Sequence, residues 1–147
     1  MLSDLLTSST IQVSSLDNLT WKQAIEISAQ PLIDNGSIEP SYVESMKKVV
    51  NEKGPYFNIG PHIALSHARP EAGANKISLA LLKTDKEVNL VSKDHPIQLW
   101  FVLAATDSQS HLKVIQELME LLMDETKVTK MCEAKNVQEL QNIIKTN

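Results

Sequence analysis

Two stretches, residues 76–83 (KISLALLK) and 96–105 (PIQLWFVLAA), are apolar on both faces instead of alternating with polar residues. A strand with two apolar faces needs cover above and below, and helices packed on both sides of a sheet supply it. The flanking sequence has the helices. Thr20 with Gln23 forms a capping box, and Trp21, Ala24, Ile25, Ile27 and Leu32 follow with helical spacing until Gly36. Pro40 suits a first turn, Val43, Met46, Val49 and Val50 make one apolar face, and Gly54 closes that helix. Leu112, Ile115, Leu118, Met119 and Leu122 repeat at three and four residues. A short helix is expected over 127–132, and Asn136 with Glu139 caps a last one carrying Val137, Leu140 and Ile144. Residues 10–13 and 62–67 (HIALSH) read as further strands. The order predicts an α/β fold: a mixed β-sheet sandwiched between helices, as a single domain over residues 1–147.

Charge and composition remove several classes of function. The 14 basic residues against 18 acidic ones give a net charge of −4, without the basic excess of a nucleic-acid binder. A single cysteine excludes an internal disulfide framework and a cysteine-rich zinc site. No signal peptide is recognisable, and the longest apolar run, Leu99 to Ala105, is too short to cross a bilayer. A cytoplasmic setting is the expectation. Neither glycine-rich nucleotide motif occurs among the four glycines, so no nucleotide or other cofactor is expected. His62 and His67 are five apart, which on a regular strand puts them on opposite faces, so no metal is expected either. Cys132 reads as a packed thiol.

Two of the four histidines fall where α/β domains build sites. His67 closes a strand, and His111 follows the 99–105 strand after a polar link and starts a long helix. Ligands in open α/β sheets bind at the carboxyl ends of strands, so these two can converge. His62 and His95 read as ordinary hydrogen-bonded histidines. The surroundings suit an anion. Ser108 and Ser110 can cap the helix around His111, whose N-terminus favours negative charge. Arg69 either grips a phosphate from two residues past His67 or is a solvated charge paired with Glu71, and spacing favours the second. Ser66 offers a hydroxyl, but alternation points it away from His67.

The segments Gly54-Pro55-Tyr56-Phe57 and Ile63-Ala64-Leu65-Ser66-His67-Ala68-Arg69-Pro70-Glu71 resemble the phosphorylation-site region of a known family. It is the IIA components of the bacterial phosphoenolpyruvate-dependent sugar phosphotransferase system, in the mannitol/fructose branch and nearest the ascorbate-specific proteins. Ala104-Ala105-Thr106-Asp107 to His111 resembles the same family's second histidine segment. The resemblance implies that His67 accepts a phosphoryl group from the histidine-containing phosphocarrier protein and passes it to a cysteine of a IIB component. It implies that His111 stabilises the phosphate, with Arg69 and Ser66 as further phosphate contacts. It also implies a phosphotransferase role in L-ascorbate uptake and a link to the membrane only through the IIC transporter. A regulatory domain using His67 phosphorylation as a signal is the alternative. The chain departs from the family pattern in two places. Ser66 stands where proline usually precedes the active histidine. Asn51, among Lys47, Lys48 and Lys53, stands near the place of a helix arginine. Tyr56, Phe57, Ile59 and Ile63 can supply apolar docking area near His67, although core burial is the commoner fate of such residues.

Overall fold

The computed structural model describes residues 2–107, 109 and 111–146. Five strands form one mixed sheet in the order β1-β4-β5-β3-β2. They are β1 (Ile11–Ser14), β2 (Asn58–Gly60), β3 (His62–Ser66), β4 (Ser78–Asn89) and β5 (Pro96–Ala104). The helices are α1 (Leu2–Leu5), α2 (Trp21–Asp34), α3 (Pro40–Lys53), α4 (Leu112–Leu122), α5 (Glu125–Glu133) and α6 (Val137–Lys145). A short 3-10 turn covers Pro70–Ala72.

The two-sided strands do what their sequence demands. Ala80 and Leu82 of β4, with Trp100, Val102 and Ala104 of β5, face a core built by α2 and α3. Leu79 and Leu81, with Leu99, Phe101 and Leu103, face a second core built by α1, α4, α5 and α6. The helices start where their caps put them. The Thr20 hydroxyl accepts from the Gln23 N–H at 3.2 Å, and the Gln23 side-chain oxygen accepts from the Thr20 N–H at 2.9 Å. Asn136 caps α6 through its side-chain oxygen, which accepts from the Glu139 N–H, while the Glu139 carboxylate accepts from the Lys135 N–H.

Three elements go beyond the sequence reading. α1 and the three-residue strand β2 are too short to show periodicity. β4 continues to Asn89, past the expected end at Lys83, and its pairing with β5 is irregular between Lys83 and Val88. β3 stops at Ser66, so His67 is the first residue beyond the strand and not its last.

β3 and β5 pair in parallel, from His62 with Ile97 to Ser66 with Val102. Their carboxyl ends therefore emerge side by side. His67 leaves one and the link to His111 leaves the other.

Because β4 is an interior strand and Leu82 is fully buried, Leu82→Ala should destabilise the fold by about 2–5 kcal/mol. Urea unfolding should show a lower midpoint at an unchanged slope. A loss below 1 kcal/mol would mean that the core around β4 collapses freely.

Candidate functional site

His67 and His111 line one cleft of about 240 Å³, together with Tyr42, Leu65, Ala68, Leu103, Asp107 and Ile115. The His67 Nδ1 lies 3.1 Å from the Leu65 carbonyl oxygen. A carbonyl only accepts, so this nitrogen carries the proton and the lone pair of the neutral ring sits on Nε2. The ring packs against Phe57 at 5.1 Å between centroids and against Tyr56 at 6.2 Å. Burial pushes the His67 imidazole below the usual histidine range. The Leu65 hydrogen bond opposes this, and the neighbouring His111 and Lys53 add to it electrostatically. The result is a neutral, oriented imidazole with a free nucleophilic nitrogen.

His111 takes the N-cap position of α4, but its side chain makes no capping bond. Its Nδ1 is buried without a hydrogen-bond partner among the described residues. Ser108 and Ser110, expected to cap this helix, lie outside the described residues. Asp107 is the carboxylate of the cleft, and its Oδ1 accepts from the Gln109 N–H at 2.8 Å.

The remaining sequence candidates separate. Ser66 is fully buried and does not line the cleft, and its hydroxyl has no partner among the described residues. Strand alternation sets it with Ala64 on the α2–α3 side. Arg69 is exposed at the start of the 3-10 turn, lines no part of the cleft, and makes no ion pair with Glu71 among the described residues. Of the lysines on α3, Lys47 is engaged by Glu26 at 2.7 Å and Glu44 at 2.9 Å, and Lys48 faces Glu52. Lys53 is the one whose charge acts on His67, and its Nζ stands 5.1 Å over the Tyr56 ring. Asn51 is exposed.

The expected apolar docking segment is only half exposed. Tyr56 and Ile59 are accessible, whereas Phe57 and Ile63 are core residues. Phe57 goes inside because it anchors β2 to β3, with its carbonyl accepting from the Leu65 N–H. Ile59 lines a different cleft, with His62 at the start of β3. His95 and His62 have local roles. The His95 Nδ1 lies 2.8 Å from the Asn58 side-chain oxygen, and the His62 Nδ1 lies 3.2 Å from a Glu87 carboxylate oxygen. Cys132 is half-buried on α5, and burial pushes its thiol up.

Two contributors escaped the sequence reading. Tyr42 sits four residues before Met46 on the apolar face of α3, a spacing that signals only core. Lys53 was one basic residue among three on the helix. What singles it out is the pairing of the other two.

A family model described as the phosphoenolpyruvate-dependent sugar phosphotransferase system, EIIA 2, matches residues 4–147. The chain belongs to that family. Among its relatives is the mannitol-specific cryptic phosphotransferase enzyme IIA component of Escherichia coli K12. That protein is 36% identical over 124 residues, spanning 84% of each chain. The solution structure of the E. coli protein of that name superposes with a TM-score of 0.91 over 99% of both chains, at 34% identity. The ascorbate-specific EIIA component of Shigella boydii is 30% identical over 127 residues, or 85% of this chain and 82% of that one. A complex of E. coli mannitol IIA with phosphorylated IIB shares the fold, with a TM-score of 0.80 over 97% of this chain and 100% of that one at 23% identity. EIIA 2 proteins are components of a sugar phosphotransferase system, so this chain is one, and phosphoryl transfer is its class of chemistry. Among the described residues no helix is long and apolar enough to cross a membrane.

The lowered His67 value makes folding sensitive to acid. The folded state holds His67 neutral where the unfolded chain, with an ordinary value near 6.5, takes up a proton. Stability from this group is therefore fully present above that value and is lost as pH falls toward the folded one. The urea midpoint should drop more between pH 7.5 and 5.5 in the wild type than in His67→Gln. Equal drops would show that His67 does not carry the linkage.

Proposed function

We propose that this EIIA 2 domain is a cytoplasmic phosphocarrier that takes a phosphoryl group onto His67 Nε2 from the histidine-containing phosphocarrier protein. It then delivers the group to a IIB component. The observation that carries the reading is the Nδ1–H bond to the Leu65 carbonyl, which leaves Nε2 as the nucleophile in a cleft shared with His111. In the first step the Nε2 lone pair attacks phosphorus in line. A new N–P bond forms, the donor histidine's N–P bond breaks, and the donor nitrogen keeps the electron pair. In the second step a IIB cysteine thiolate attacks the same phosphorus, and the electron pair returns to Nε2. The neutral imidazole is restored.

The phosphoryl group on Nε2 carries close to two negative charges, by analogy with other phosphorylated side chains. His111, at the head of α4, is the stabilising partner we assign. Lys53 adds a screened positive charge from the rim. Arg69, exposed on the opposite side of His67 in sequence, is proposed to act only during delivery. Ser66 keeps at most an indirect part, through the backbone that precedes His67. The site has few cations, which suits a carrier that must release what it binds.

The sugar is proposed to be L-ascorbate or a similar acid, on the strength of the G-P-Y-F and H-A-R-P-E segments. A IIA protein does not touch the sugar in this scheme, so the IIB partner defines it. The membrane is reached only through the IIC transporter.

Incubation with phosphoenolpyruvate, enzyme I and the phosphocarrier protein should add one acid-labile phosphoryl group, absent in His67→Ala. Labelling of His67→Ala at the wild-type level sinks the acceptor assignment. His111→Ala should fold and exchange phosphate on the order of 10²-fold more slowly, the usual cost of one well-placed electrostatic donor. Single-turnover delivery to ascorbate-type and mannitol-type IIB proteins should favour the former. Failure with every IIB tested would turn the reading toward the regulatory alternative. Lys53→Gln should slow both steps roughly threefold in low salt, as expected of an exposed charge. Arg69→Gln should slow delivery alone, and a wild-type delivery rate in Arg69→Gln removes Arg69 from the site.

A further inference from the structure

We propose that Tyr42 is a positioning residue for phosphoryl exchange: its hydroxyl ties the backbone leaving His67 to the strand end leading to His111. The proposal rests on the reading of His67 as the acceptor. The Tyr42 ring is fully buried in the core between the sheet and α2–α3. Its hydroxyl reaches through to the cleft. There it accepts from the Ala68 N–H at 3.0 Å and donates its one proton to the Leu103 carbonyl at 2.9 Å, with the Ala68 carbonyl an alternative at 3.1 Å. Burial pushes the phenol above its ordinary range, so it stays protonated and able to donate.

The place of this bridge gives it consequence. The last paired rung between β3 and β5 is Ser66 with Val102. Just past that rung the two chains need partners for the Ala68 N–H and the Leu103 carbonyl, and a side chain from a third element serves both. The Ala68 N–H belongs to the peptide unit that begins at the His67 carbonyl. Anchoring it restricts the His67 backbone, and through it the direction of the ring. Leu103 lies two residues before Ala105, which lines the cleft and opens the link to His111. One hydroxyl therefore sets the spacing between the two chain exits that carry the histidines. Catalysis by positioning is steep: a displacement near 1 Å can cost on the order of 10²-fold.

Tyr42→Phe keeps the ring and removes only the bridge. The test uses phosphoramidate as donor, a small molecule that needs no partner protein, together with nitrogen NMR of the His67 ring. Tyr42→Phe should phosphorylate between tenfold and a hundredfold more slowly per folded molecule. The His67 ring should lose its fixed Nδ1–H form, and its titration midpoint should rise toward the ordinary range. Val50→Ala, a destabilising core variant on the same helix, should leave rate and spectrum unchanged. A Tyr42→Phe protein with wild-type rate and His67 spectrum overturns the proposal and leaves Tyr42 a core residue. If the wild type itself takes no phosphate on His67, the acceptor reading fails, while the ring spectrum still decides whether Tyr42 orients His67. Should Tyr42→Phe not fold, 3-fluorotyrosine incorporated in a Tyr56→Phe background perturbs the same hydroxyl. The Ala68 amide and the His67 ring signals should then shift together, and movement of the amide alone overturns the proposal.

Discussion

The burial of β4 and β5 on both faces is the constraint from which the rest of this fold follows. Adjacent residues such as Leu81 and Leu82, or Phe101 and Val102, belong to different cores. A strand of this kind cannot lie at the surface of a two-layer structure, so the chain must supply helices to both sides. α2 and α3 take one side, and α1, α4, α5 and α6 take the other. With β5 held in the middle, β3 pairs with it in parallel, and two chain exits are forced next to each other. The cleft between His67 and His111 is a consequence of that packing.

The chemistry of the cleft comes from two opposed effects on one ring. Burial against Phe57 keeps the His67 imidazole neutral, while the Leu65 carbonyl holds the proton on Nδ1. A solvated histidine would divide its time between tautomers and, near pH 6.5, between charge states. Here one nitrogen is committed to structure, and the lone pair stays on the other. The same burial carries a stability cost in acid, since the folded ring resists the proton that the unfolded chain accepts.

Much of this was legible in the sequence because periodicity and caps are local. The capping box at Thr20, the N-cap at Asn136, the two-sided strands, and the position of His67 and His111 after strands need no knowledge of distant residues. What was not legible depends on separation in the chain. The Tyr42 hydroxyl finds partners 26 and 61 residues away, and nothing around Tyr42 distinguishes it from a core aromatic. Lys47 is engaged by Glu26, 21 residues earlier, and only the packed structure brings the charge of Lys53, not of its neighbours, to bear on His67. The sequence does not decide between docking surface and core for Phe57 and Ile63, because their burial depends on the hairpin between β2 and β3. Three residues of β2 are too few to declare that hairpin.

The distribution of charge around the cleft completes the physical picture. A site built to retain phosphate would place several cations in direct contact with it and desolvate them. Here Lys47 and Lys48 are engaged by Glu26, Glu44 and Glu52, Arg69 is exposed outside the cleft, and Asp107 adds a carboxylate to the wall. Lys53 acts from an exposed position, where salt screens it. The favourable field on a phosphoryl group at Nε2 would then come mainly from His111 and the start of α4. Such a field would stabilise the bound phosphoryl group as well as the charge that develops in the transition state, so keeping it to few contacting groups is what would let the phosphoryl group leave as readily as it arrives.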